Sequence, residues 1–162
     1  MKQPKVLLVV SCSKKKSPQL YDRKMRAIEA YTGPMFQVIH KAQREGKWDS
    51  NLFLGIISAK YGFLRSDEFI ENYDLKMTRQ IAEKHNPQVI REMIRWNNEE
   101  KFNWIYVLMG KTYLKAVEGL EAHINTNIEV ENMGGLGIGQ QKLVQFLELV
   151  SERSMSLTEL VK

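Results

Sequence analysis

Three short segments of this chain place hydroxyl, thiol or ammonium groups directly after an apolar run. The first is Ser11-Cys12-Ser13-Lys14-Lys15-Lys16. Backbone amides at a strand end, serine hydroxyls and ammonium charge together suit an anion such as phosphate, with Ser11, Ser13 and Lys16 as its holders. The same cations favour the thiolate of Cys12, the nucleophilic form. The plainer alternative for a strand-end cysteine is a small buried residue beside solvated lysines. The second segment is Ser58-Ala59-Lys60-Tyr61-Gly62. Lys60 suits a phosphate and Tyr61 suits stacking on a base; the alternative is a turn capped by Ser58. The third, Gly110-Lys111-Thr112, is not a P-loop, because Ile105 stands where that motif requires its first glycine. Gly110 lets a strand pass into a helix and joins the other strand-end loops.

Carboxylates come from an acidic stretch holding Glu68, Glu71 and Asp74. Beside a sugar such groups act as general acid or base or stabilise an oxocarbenium-like state, and Glu68 and Asp74 are the expected proton handlers. The alternative is a solvated loop. Gly134–Gly139 followed by Gln140 would expose amides to a phosphate at a helix start, with Gly137, Gly139 and Gln140 as contacts. It lacks the final glycine of a dinucleotide fingerprint. Tyr31 and Thr32, in a turn before Pro34, join the binding set. His40, His85 and His123 have no metal-ligand spacing, so neither a metal nor a cofactor is expected.

These groups need strands that end together. Lys5–Val10 (KVLLVV), Leu52–Ile57 (LFLGII) and Trp104–Met109 (WIYVLM) are nearly unbroken apolar runs, the pattern of strands buried on both faces, and Ile128–Val130 is a brief fourth. Helical spacing follows at Met35–Gly46, at Thr78–Asn97 with Pro87 expected to break or kink it, after Gly110 through Tyr113, Leu114, Val117 and Leu120, and at Gln140–Ser151. Ser66–Lys76 reads as an irregular loop. The alternation predicts a three-layer α-β-α, Rossmann-like domain with a mostly parallel sheet of four or five strands. One α/β domain over 1–151 is expected, with 152–162 as a tail or short helix. Ligands of such sheets bind beyond the carboxyl ends of the strands, where these loops lie.

The formal charge of +5 is uneven: residues 1–30 carry eight Lys/Arg against two Asp/Glu, whereas residues 116–150 carry five Glu and one Lys. A basic end fits a phosphate-bearing small molecule or nucleic acid as partner; a solvated lysine face is the alternative. A single cysteine excludes a disulfide framework. No apolar run reaches bilayer length, and the amino terminus lacks a signal-peptide core, so a cytoplasmic protein without membrane contact is expected. The sequence leaves the oligomeric state open.

The ordered series SCSKKK (Ser11–Lys16), YTGPMF (Tyr31–Phe36), ISAKYGFL (Ile57–Leu64), ENYD (Glu71–Asp74) and GLGIGQQ (Gly135–Gln141) resembles an uncharacterised prokaryotic and phage family. That family shows a Cys-Ser/Gly-x-x-Lys loop, a Tyr-Thr-x-x-x-Phe turn, a Leu-Ser-Ala-Lys-Tyr-Gly-Leu segment and a late Gly-x-x-Ile-Gly-x-Gln. Here Phe36 comes one residue early and Phe63 is inserted before Leu64. The first loop is also similar to the Cys-Ser-x-x-Lys-Pro-Tyr loop of a domain of archaeosine synthases, with Cys12, Ser13 and Lys16 matching and Ser17-Pro18 standing for Pro-Tyr. That likeness implies nucleobase or nucleic-acid modification. The expectation is therefore an enzyme acting on a nucleotide, or on a nucleobase within nucleic acid, at the base or its glycosidic bond. A non-catalytic nucleic-acid-binding module and a nucleotide-sensing regulator are the alternatives.

Overall fold

Residues Val6–Val10 of the first apolar run are all buried, because the strand they form lies in the middle of a sheet covered on both faces. In this computed structural model the backbone is described for residues 3–161 and the side chains for residues 3–153. The strands are β1 (Val6–Ser11), β2 (Met25–Arg26), β3 (Leu52–Ser58), β4 (Gly62–Arg65), β5 (Phe69–Ile70), β6 (Trp104–Met109) and β7 (Asn127–Asn132). The helices are α1 (Ala27–Ala30), α2 (Pro34–Arg44), α3 (Arg79–Glu100), α4 (Lys111–Leu114) and α5 (Leu136–Val161). The central sheet has the order β4-β3-β1-β6-β7. β3, β1, β6 and β7 are parallel, and β4 is an antiparallel edge strand on β3. β2 and β5 make a separate two-stranded pair.

Alternation along β1 feeds two cores. Val6, Leu8 and Val10 face α1, α2 and α5 through Ala27, Phe36, Ile39, Leu143 and Phe146. Leu7 and Val9 face α3 and the turns after α4 through Val89, Met93, Val117 and Leu120. The result is the expected three-layer α/β arrangement with five strands.

Several elements differ from the sequence expectation. Pro87 does not divide α3, which is one helix from Arg79 to Glu100. Asn86 beside it donates to the carbonyls of Lys115, Ala116 and Glu118 at 3.4, 3.0 and 3.0 Å, and Val89, Ile90 and Met93 are buried against the sheet. That packing outweighs the roughly 3 kcal/mol cost of an interior proline. The segment after Ser58 turns back as β4, and Ser66–Lys76 contributes β5 before running irregularly. β7 is longer than Ile128–Val130, and after α4 the chain makes two single 3₁₀ turns where a longer helix was expected.

The glycine-rich segment is also revised. α5 starts at Leu136, so Gly137, Gly139 and Gln140 are helical. The Gly139 amide donates to the Gly135 carbonyl at 2.8 Å, and a Cβ at Gly139 would overlap the Met133 side chain. Gly139 therefore serves close packing and is not a phosphate contact. The backbone of α5 continues through 152–161 without a break at 151, and Lys162 of the expected tail lies outside the described residues.

The β3–β4 turn carries the second motif and depends on Gly62, whose φ is +72°. Gln88 of α3 clasps the next residue, accepting from the Phe63 amide at 2.9 Å. A Cβ on Gly62 would fall on the Gln88 Oε1 atom. The left-handed conformation alone costs an L-residue about 1–2 kcal/mol. Gly62→Ala is expected to destabilise the protein by about 1–3 kcal/mol in urea unfolding with an unchanged m-value. A loss under about 0.5 kcal/mol would mean that the turn relaxes freely.

Candidate functional site

Because β3, β1 and β6 are adjacent and parallel, Ser58, Cys12 and Gly110 leave the sheet at the same pole. The Cys12 amide donates to the Ile57 carbonyl at 2.9 Å. The loop after β1 is stitched to the turn before α2: Thr32 N–H donates to the Lys15 carbonyl at 3.0 Å, Lys16 pairs with Tyr31 in an isolated bridge, and Gly33 N–H donates to Ser13 Oγ at 3.1 Å. Gly33 is required there, since a Cβ would lie 2.5 Å from Ser13 Cβ. From the far edge, Gln140 Nε2 reaches the Pro34 carbonyl at 3.3 Å.

Inside this frame is a run of hydroxyl groups. Ser58, fully buried, lies 2.9 Å from the Tyr73 hydroxyl, which is 2.7 Å from the hydroxyl of the fully buried Tyr31. Ser58 Oγ also accepts from the amides of Lys60 and Tyr61 at 3.2 and 3.1 Å. Cys12, half-buried, has its sulfur 3.3 Å from the Tyr113 hydroxyl of α4. Two ammonium groups flank the Tyr73 ring, Lys16 at 4.3 Å and Lys60 at 5.9 Å from its centroid. Neither makes a salt bridge with a carboxylate among the described residues.

Burial pushes the ionisation of Tyr31, Tyr73 and Tyr113 well above the usual tyrosine range. The negative charge that a Cys12 thiolate would carry is the next influence on all three, in the same direction. These phenols keep their protons at neutral pH and act as donors.

The pole gathers Ser11, Cys12, Ser13, Lys16, Tyr31, Thr32, Ser58, Lys60, Tyr61 and Gly110, with different duties from those expected for some. The Ser13 hydrogen is spent on the Lys15 carbonyl at 2.6 Å, so Ser13 shapes the loop and has no proton left for a phosphate. Tyr61 is half-buried and ties the ENYD segment, its hydroxyl accepting from the Glu71 amide at 3.1 Å. Gln140 is likewise a clasp on Pro34. Gly137 lies exposed in the first turn of α5, next to the buried Gly139. Glu68 is outside the cluster: its carboxylate accepts from the Arg65 amide at 2.8 Å, beside the Arg65–Glu99 ion pair on the edge strand. Asp74 is exposed and follows Tyr73 directly. Tyr73 and Tyr113 were not singled out from the sequence. Tyr73 stood within the ENYD motif, a signal that was present but read for its acids, and Tyr113 read as an apolar helix position.

The family described as "Family of unknown function (DUF6884)" matches residues 7–147 of the chain. Among solved structures, the crystal structure of AF0587, a protein of unknown function, is similar with a TM-score of 0.51 and 16% identity over 90% of this chain and 45% of that one. At that identity the likeness bears on the fold alone, and this chain spans less than half the length of that protein. No curated protein matches.

The buried phenols make a pH prediction with a definite sign. Their folded-state ionisation lies above the unfolded value near 10, so the stability they carry is intact below about pH 10. Above it the unfolded chain releases protons that the fold retains, and stability falls as pH rises. Phenolate absorbance from Tyr31, Tyr73 and Tyr113 should appear only together with loss of far-ultraviolet circular dichroism. Their ionisation within the intact fold would contradict the burial. Separately, Ser58→Ala strips two amides and Tyr73 of their buried partner and should cost about 1–3 kcal/mol in denaturant unfolding.

Proposed function

The chain belongs to the DUF6884 family of unknown function, and we propose that it is an enzyme acting on a nucleotide, or on a nucleobase within nucleic acid, with chemistry at the base or its glycosidic bond. One observation carries the reading. Two ammonium groups that make no salt bridge among the described residues lie 4.3 and 5.9 Å from the Tyr73 ring centroid, next to a thiol and protonated phenols, at the carboxyl ends of parallel strands where such sheets bind ligands. In this arrangement Lys16 and Lys60 hold the phosphate as compact positive charges. Cys12 and Tyr113 face the reacting atoms. With Glu68 engaged by Arg65, Asp74 is the carboxylate left near the cluster for proton handling. The free cysteine suits a reducing, cytoplasmic setting.

A second reading is a nucleic-acid-binding module without turnover, favoured by the exposed Lys14 and Lys15 in the same loop as Lys16 and by the exposed Arg23, Lys24 and Arg26 further along the chain. It differs in one measurable property: affinity for single-stranded nucleic acid would fall steeply with added salt, while mononucleotides would bind weakly.

Cys12 is the sole cysteine, so its alkylation can be followed without interference. Nucleoside monophosphates are expected to protect it from alkylation in the native protein. Lys16→Ala should weaken that protection by about tenfold or more, the loss of one charge-assisted contact, while costing no more than about 0.5–1 kcal/mol of stability. Absence of nucleotide binding by calorimetry, together with unprotected Cys12, would sink the reading.

A further inference from the structure

The two edges of the central sheet, β4 and β7, are finished differently. On β4 the outward peptide groups are those of Phe63 and Arg65, and all of them are taken. Gln88 accepts from the Phe63 amide at 2.9 Å and donates to its carbonyl at 3.4 Å. The Glu68 carboxylate accepts from the Arg65 amide at 2.8 Å, and the Glu68 amide donates to the Arg65 carbonyl at 3.0 Å. That edge is closed to another strand.

β7 has no such cover. The Met133 amide donates to the Met109 carbonyl at 2.9 Å, which fixes the phase of the ladder. Alternation then turns the peptide groups of Asn127, Glu129 and Glu131 toward β6 and those of Ile128, Val130 and Asn132 outward. Lys142 Nζ donates to the Asn132 carbonyl at 3.0 Å. The amides and carbonyls of Ile128 and Val130 have no partner among the described residues. The strand, NIEVEN, holds neither proline nor lysine, the residues that commonly blunt an edge. Ile128 packs against the core on the α3 side, and Val130, on the same face, is 38% exposed. Glu129 and Glu131 occupy the opposite face. Glu131 accepts from the Tyr106 hydroxyl at 2.7 Å and lies 3.8 Å from Lys142, whereas Glu129 is exposed.

Charge selects the occupant of this edge. A second copy would pair its own β7 antiparallel about a two-fold axis. Centred on Val130, that pairing sets Glu129 directly against Glu131 of the other copy. The neighbouring registers centre on Glu129 or on Glu131 and set that residue against itself. Like charges directly opposite are destabilising, so the strand discourages its own kind. The same carboxylates favour lysine or arginine. β7 also lies within residues 116–150, which carry five Glu and one Lys.

We propose that the β7 edge is a docking site for an extended basic segment of a partner protein, added to the sheet as a further strand. Its main chain bonds to Ile128 and Val130, its apolar side chains lie toward Val130, and its lysines or arginines lie toward Glu129. The site is two strands from β1 and stands independently of the nucleotide reading.

Two capped hexapeptides serve as probes, one alternating Lys with Val and the other alternating Glu with Val, each titrated at low salt into ¹⁵N-labelled protein. In the free protein the Ile128 and Val130 amides should exchange with deuterium at least about tenfold faster than those of Glu129 and Glu131. The basic peptide is expected to shift and protect the Ile128 and Val130 amides, and the acidic one to bind about tenfold more weakly or less. Glu129→Lys should reverse that order. Val130→Pro removes one outward N–H without touching the β6 ladder and should abolish protection by the basic peptide. Slow exchange at Ile128 and Val130 in the free monomer would show the edge already covered and overturn the proposal. So would equal affinity for the two peptides, or no effect of either at millimolar concentration. Protection that instead grows with protein concentration, with a doubled mass by light scattering, would assign the edge to a second copy and overturn it too.

Discussion

The Ser58 hydroxyl is the junction at which the end of β3, the tight turn after it and the tyrosine run are joined. It is the single non-aromatic polar side chain in the buried core among the described residues. A lone buried hydroxyl costs free energy unless every bond it offers is taken. Here two amides and one phenol take them all, so the β3–β4 turn cannot shift without stranding several groups together. Tyr73 is held through Ser58, and the irregular acidic segment is held through Tyr73 and through Tyr61. A stretch without regular structure thereby gains a fixed position against the sheet.

Electrostatics at this pole follow from what the phenols refuse to do. Because burial keeps Tyr31, Tyr73 and Tyr113 protonated, they add donors without adding negative charge. The ammonium groups of Lys16 and Lys60 thus meet the flat face of a neutral ring, a modest attraction that leaves their charge available outward. Of the carboxylates in the segment, Glu68 is engaged with the Arg65 amide and Glu71 with Lys24, which leaves the exposed Asp74 beside Tyr73. Positive potential at the strand ends is therefore offset by at most one nearby carboxylate of this segment, Asp74.

Much of this layout was legible in the residues. The KVLLVV, LFLGII and WIYVLM runs could be placed because strands buried on both faces leave no polar alternation to misread, and their shared polarity brought the three loops to one pole. Pro87 misled because its local cost is smaller than the packing around it. Gly137 and Gly139 misled for the same reason in reverse: glycine's poor helix propensity, about 1 kcal/mol each, yields to the contact of Gly139 with Met133. The returning strand of the β3–β4 hairpin, Gly62–Arg65, is only four residues long and follows a motif rich in turn formers, so its pairing is supported by the Gln88 clasp from a helix further along. Tyr113 kept the spacing of a buried helical face, and only the topology reveals that its hydroxyl meets a cysteine 101 residues earlier.

The central strand of the sheet is also the first in the chain. Cys12 precedes its neighbours on β3, the ENYD segment and α4 along the chain, and these arrive in stages, the last of them the Tyr113 contact. Contacts of such long sequence separation close slowly, because loop entropy must be surrendered before they form. During that interval the thiol is unshielded and open to oxidation. Once the late strand and helix dock, the same event half-buries the sulfur and brings the Tyr113 hydroxyl to it. An incomplete or misassembled copy thus carries a more exposed thiol, which makes Cys12 a natural reporter of whether the fold has been finished.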